Sequence, residues 1–137
     1  MGSIYNDTLI AGDDGSTLDG GTGNDLLVGG FNAADDMTGG TGADIFQIFD
    51  TTTDTINDFE AGTDTLNLDT LLGATFDPNN PGTDLEIQET GLGTGVFEVL
   101  VSGTSIVELN GVNSGDFIDV IYDANMAAVQ IEAVGTS

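Results

Sequence analysis

Gly20-Gly21-Thr22-Gly23-Asn24-Asp25-Leu26-Leu27-Val28 is answered, place for place, by Gly39-Gly40-Thr41-Gly42-Ala43-Asp44-Ile45-Phe46-Gln47. Each run of nine reads as a turn of about six residues followed by a strand of about three. Glycine at the first, second and fourth places permits positive φ and lets backbone carbonyls turn toward a common point. The Asp at the sixth place is short, sits well in a turn and keeps its oxygens near the backbone. The large apolar residue at the eighth place, Leu27 or Phe46, points inward.

The same frame extends to both sides. Large apolar residues that follow an acid-rich turn fall at Leu9, Leu18, Leu27, Met37 and Phe46, at spacings of nine, nine, ten and nine. Asn6-Asp7-Thr8-Leu9-Ile10 is the end of an earlier unit. Residues 12–19 form a unit one residue short, with Ser16 where the Asp belongs, and residues 29–38 a unit one residue long, with Asp35 in that place. One coil of such an array takes two units, so units two apart stack on the same edge. Asp7, Asp25 and Asp44 then line one edge and Asp35 the other. On that second edge Asp13 or Asp14 stands near the place that Ser16 leaves without a carboxylate.

Composition sharpens this reading. The 137 residues contain no Lys, Arg, His or Cys, and 24 Asp and Glu give a formal charge of −24. No ion pair between side chains is available, and self-repulsion at this charge opposes a compact state. Yet seven Phe and many Val, Ile and Leu supply a core that an acidic disordered tail lacks. A foldable chain without cations of its own needs cations from outside. The acids are also divided by type: residues 1–69 hold thirteen Asp and one Glu, residues 70–137 five of each. Calcium is a hard cation that takes six to eight oxygens, backbone carbonyls among them, and stacked turns offering one Asp each can provide these.

The two matching units resemble the glycine-rich nonapeptide repeats of RTX (repeats-in-toxin) exoproteins, which form a parallel β-roll around calcium. The resemblance is specific over residues 4–69 and general beyond. It implies an all-β chain: RTX repeats over 4–49, a roll-closing calcium-associated segment over 50–69, and a capping antiparallel β region with the secretion-signal region over 70–134. It implies as calcium ligands Asp7, Gly20, Thr22, Gly23, Asp25, Asp35, Gly39, Thr41, Gly42 and Asp44. In the closing segment the pattern Asp54-x-Ile56-x-Asp58-Phe59-x-x-Gly62-x-Asp64-x-Leu66-x-Leu68 resembles the stretch after the roll in serralysin-type proteases, epimerase modules and large adhesins. There Asp54, Asp58 and Asp64 are the matching ligands. The alternation on either side of Gly62 predicts two short strands joined by a tight loop.

Further strands are expected at 85–88, 96–101, 105–109, 116–122 and 127–134, capping a roll end that would otherwise invite pairing. The RTX resemblance also implies export by a type I secretion apparatus to the extracellular space or cell surface. The expected role is a calcium-dependent folding and secretion module of a larger exoprotein. Met1-Gly2-Ser3 and Gly135-Thr136-Ser137 look like added flanks, and the chain reads as a fragment without a cleavable leader.

Several function classes are excluded. Without Lys or Arg the chain cannot neutralise nucleic acid phosphates or bind an anionic membrane surface, and no apolar run is long enough to span a bilayer. Without His, Cys or Lys there is no triad, thiolate or Schiff base, so the chain is read as a non-enzyme. The alternative reading is a calcium-dependent carbohydrate- or cell-surface-binding accessory module. The lack of basic residues argues against acidic sugars and leaves a neutral glycan. Thr22, Asn24 and Thr41 are too few for an ice-binding row.

Overall fold

The computed structural model describes residues 2–72, 76–81, 84–90, 94–123 and 125–135. Its first part is the coil that the nine-residue frame dictates. Strands β1 (Thr8–Ile10), β2 (Thr17–Asp19), β3 (Leu26–Val28), β4 (Asp36–Thr38) and β5 (Ile45–Gln47) alternate between two sheets. β1, β3 and β5 pair in parallel, Leu9 opposite Leu27 and Leu27 opposite Phe46. β2 and β4 pair in parallel in the other sheet, Leu18 opposite Met37. Three residues are too few to be stable alone, so each strand depends on its neighbours above and below.

The inward column is Leu18, Leu27, Met37, Phe46, Ile56 and Leu66, all buried. Burying one such side chain contributes about 1.5–3 kcal/mol. Leu9, in the first coil, is only partly buried. Phe46 and Phe59 fill the centre with ring centroids 6.0 Å apart.

Residues 50–69 depart from expectation. The two strands are present, as β6 (Asp54–Ile56) and β7 (Thr65–Asn67), but they lie in different sheets and residues 57–64 between them carry the chain across. A tight loop would need β6 and β7 to pair, and neither has a free edge. β6 is held in parallel by β4 and by β10 (Thr104–Leu109), and β7 by β5 and by β11 (Phe117–Ile121). The segment is therefore more roll.

After β7 comes a single helical turn, α1 (Asp69–Leu72), which the alternating pattern did not announce. β8 (Leu85–Glu89) and β9 (Phe97–Val101) then form an antiparallel pair that joins β10, and β12 (Ala128–Glu132) joins β11 antiparallel. The completed sheets run β1-β3-β5-β7-β11-β12 and β2-β4-β6-β10-β9-β8. The chain is thus all-β with a parallel roll of about three coils, extended by two non-local rungs and finished by antiparallel strands. The five strands expected after residue 84 are all found, with ends moved by one or two residues. No helix among the described residues is long and apolar enough to cross a membrane.

Candidate metal centre

The turns stack along two edges. On the first edge lie residues 2–7, 20–25, 39–44 and 57–64, each ending in an Asp that precedes a strand of the first sheet. These aspartates form a ladder. The Asp7 N–H donates to Asp25 Oδ1 at 2.7 Å, the Asp25 N–H to Asp44 Oδ1 at 2.8 Å, and the Asp44 N–H to Asp64 Oδ1 at 2.9 Å. Asp25, Asp44 and Asp64 are buried, and Asp7 is half-buried. On the second edge the Ser16 N–H donates to Asp35 Oδ1 and the Asp35 N–H to Asp54 Oδ1, both at 2.8 Å. Asp35 and Asp54 are buried too.

One oxygen of each ladder carboxylate beyond Asp7 therefore ties two coils together, and the second oxygen distinguishes the sites. Asp25 Oδ2 and Asp44 Oδ2 are buried and accept no hydrogen bond. At the two ends of the first edge the chain satisfies its own carboxylates. Asp7 Oδ2 accepts from the Ser3 N–H and hydroxyl, and Asp64 Oδ2 accepts from the Glu60 N–H. Asp35 Oδ2 accepts from the Gly30 N–H. A buried carboxylate oxygen without a donor is costly. No Lys, Arg or His exists anywhere to relieve it.

Glycine makes room for these oxygens. A methyl group built on Gly20 would lie 2.5 Å from Asp25 Oδ2 and 2.5 Å from the Gly39 carbonyl oxygen. One built on Gly39 would collide with the Asp44 carboxylate. Gly23 and Gly42 take φ of 122° and 125° and press against the turn above, at Tyr5 and at Gly23. Thr22 and Thr41 are exposed, joined by an isolated parallel bridge, and reach the coils through backbone hydrogen bonds.

Asp58 stands apart from the ladder. Its two oxygens accept the N–H groups of Gly39 and Gly40, at 2.9 and 2.8 Å. Asp13 and Asp14 are exposed, and the Ser16 hydroxyl accepts the Gly12 N–H and donates to the Asp14 carbonyl. Asp54 and Asp64, assigned from sequence to a separate closing site, instead continue the two edges below Asp35 and Asp44. Gly21, Gly40 and Gly29 serve the sequence reading as markers of the frame and lie outside its ligand set, yet they also shape the turns. Gly21 and Gly40 both have φ of 94°, and a methyl on Gly29 would lie 3.0 Å from Asp54 Oδ2 and 3.4 Å from Asp35 Oδ2. The signal was available, since each begins or completes a glycine pair in the same frame.

Burial dominates the electrostatics. It pushes the Asp54 carboxyl up to about 7, with the Asp35 and Asp50 charges adding and the Asp35 N–H opposing. It pushes Asp64 up to about 6 against the Asp44 and Glu60 N–H groups. Asp44 is raised for the same reason, with the Asp25 and Asp58 charges adding. Asp7, at the end of the edge, is lowered, chiefly by the Ser3 N–H. Among the described residues no three acids gather into one cluster. The arrangement instead offers carboxylates one per coil, with backbone carbonyls between them. An all-oxygen set with two orphaned, buried carboxylate oxygens fits a hard cation.

No family model and no curated protein matches the chain. Among solved structures it is similar to the C-terminal domain (RV) of MpAFP, at 26% identity and a TM-score of 0.55 over 96% of each chain. The likeness therefore spans the antiparallel strands as well as the repeats. It is also similar to the AlgE6R3 subunit of a mannuronan C5-epimerase from Azotobacter vinelandii, at 26% identity and a TM-score of 0.49 over 81% of this chain and 74% of that one.

Proposed function

We propose that this chain is a calcium-binding folding module of a larger extracellular protein. The observation that carries the reading is the pair of buried, unpartnered oxygens Asp25 Oδ2 and Asp44 Oδ2, stacked on one edge of a roll that has no cationic side chain. The solved domain that resembles it over 96% of its length is the C-terminal domain of another protein.

Calcium suits the donors because it accepts six to eight oxygens in flexible geometry, whereas magnesium demands near-ideal octahedral coordination. Asp25 and Asp44, with the Gly20, Thr22, Gly23, Gly39, Thr41 and Gly42 backbone, would hold ions on the first edge, where Asp7 and Asp64 continue the ladder. Asp35 and Asp54 would do so on the second. Asp58 acts as a carboxylate cap on Gly39 and Gly40. Roughly three to five ions per chain satisfy this donor set. The bound ions neutralise buried carboxylates, and the chain's own groups position them through the N–H ladder.

The same chemistry makes a switch. Where calcium is scarce, a charge of −24 keeps the chain expanded and suited to a narrow type I export channel. In extracellular calcium, binding to the native state alone stabilises it by mass action. No group in the chain is assigned a catalytic role.

Calorimetric titration of the chain and of an Asp25→Asn/Asp44→Asn double variant tests this. The native chain should bind several ions, and the double variant should lose those of the first edge. Equal stoichiometry and affinity in both would remove the first edge from the reading.

A further inference from the structure

The two sheets end in edge strands, β12 for one and β8 for the other, and these meet at a single point. The Val134 N–H donates to the Ile87 carbonyl and the Glu89 N–H to the Val134 carbonyl, which makes an isolated parallel bridge between Gln88 and Val134. Away from that point the edges part around a groove of about 360 Å³, lined by Leu85, Glu86, Ile87, Ile131, Glu132 and Val134 among others.

The hydrogen-bond pattern shows which backbone groups face the groove. In the β8–β9 pair the Ser102 N–H donates to the Asp84 carbonyl and the Thr90 N–H to the Val96 carbonyl, so residues 84, 86, 88 and 90 turn toward β9. Antiparallel alternation then turns Leu85, Ile87 and Glu89 outward. In the β11–β12 pair the Ala133 N–H donates to the Asp116 carbonyl and the Tyr122 N–H to the Ala127 carbonyl. That turns Ala128, Gln130, Glu132 and Val134 outward. Val134, Ile87 and Glu89 use this outward direction for their bridge. Among the described residues, Leu85 on one side and Gln130 and Glu132 on the other point N–H and C=O groups out of their sheets with no strand beyond them.

We propose that this groove takes up an extended, basic segment of another protein as an added β-strand. An added strand gains affinity from main-chain bonds and specificity from alternate side chains. One face of it would meet Leu85, Ile87, Ile131 and the exposed Val134, and its ends would pass the carboxylates of Glu86 and Glu132. Charge decides against a second copy as the occupant, since two chains of −24 repel. A segment alternating apolar residues with Lys or Arg complements both the groove and the net charge.

A fluorescent peptide of alternating valine and lysine, titrated into the calcium-saturated chain, tests this, with amide exchange followed residue by residue. The expected result is saturable binding that slows exchange at Leu85, Gln130 and Glu132. Glu132→Pro removes one outward donor without touching the β11 ladder, a place where an edge strand tolerates proline. It should weaken binding about tenfold and leave the circular dichroism spectrum unchanged. Glu132→Lys, which keeps the donor, should weaken it through charge, and a peptide of alternating valine and glutamate should not bind. The proposal is overturned by no binding, by equal binding of a serine–lysine peptide, by unslowed exchange at those amides, or by full affinity in both Glu132 variants.

Discussion

The two edges of the roll are built by the same coil, and they treat their carboxylates differently. On the first edge the frame is regular: Gly20-Gly21 and Gly39-Gly40 open the turns, Asp25 and Asp44 close them, and both Asp Oδ2 atoms are left buried without a donor. On the second edge the frame slips. The turn before β2 is short and ends in Ser16, and in the longer turn before β4 the Gly30 N–H satisfies Asp35 Oδ2. Where the repeat is regular the chain leaves one oxygen of each carboxylate without a donor. Where it is irregular the chain supplies its own donor. The first edge should therefore bind ions more tightly than the second, and the coils should depend on it more.

The largest break in that contrast is expected from glycine. Gly40→Val places a branched side chain at φ 94°, on a backbone already pressed against the Gly21 carbonyl of the coil above. Strain and overlap together should cost about 3 kcal/mol or more, enough to abolish the gain of β structure expected on calcium addition, with circular dichroism as the measurement. Gly12→Ala on the second edge meets nothing within 4 Å and should change stability by no more than about 0.5 kcal/mol. Next in size is the charge itself. Asp44→Asn should weaken calcium affinity by about an order of magnitude or more, and Asp35→Asn should do less, both read by calorimetry.

The pH response separates the edges further. Burial raises the folded-state pKa of Asp54 to about 7 and that of Asp64 to about 6. A group with a raised folded pKa gives its stabilisation fully below its unfolded value and loses it as pH rises through the folded one. The calcium-free chain should therefore gain β structure on acidification from pH 8 toward 5. Calcium needs the charged carboxylates, so its affinity should fall over the same range, on the second edge near pH 7 and at Asp64 nearer 6. Carboxylate carbon shifts in NMR would report both. The smallest effect is a gain. Ser16→Asp restores the missing carboxylate above Asp35, whose Oδ1 already accepts the Ser16 N–H, and should add one ion to the measured stoichiometry.

The roll was legible because its information is local. Glycine pairs, the sixth-place Asp and the eighth-place apolar residue specify one coil without reference to distant chain. Stacking two apart then placed Asp7, Asp25 and Asp44 on one edge and Asp35 on the other, which is where the structure has them. Residues 50–69 were less legible. Longer spacing hid the fact that Asp54 follows Asp35 by 19 residues, the offset that joins Asp25 to Asp44, and that Asp64 follows Asp44 by 20. The alternation around Gly62 suggested strands joined locally, but their pairing was settled by β10 and β11, which return from more than 50 residues away. Alternation identifies such strands and one face of each, and it carries no information about the partner edge. Asp58 shows the limit at one side chain. Residue type cannot say whether its oxygens meet an ion or the N–H groups of Gly39 and Gly40.

Calcium titration of the chelator-treated chain, followed by far-ultraviolet circular dichroism, tests the central claim most directly. The account predicts an expanded chain in chelator and a cooperative passage to β structure as calcium is added, with little response to magnesium. A chain already β-rich in chelator, with a spectrum that calcium leaves unchanged, would contradict it.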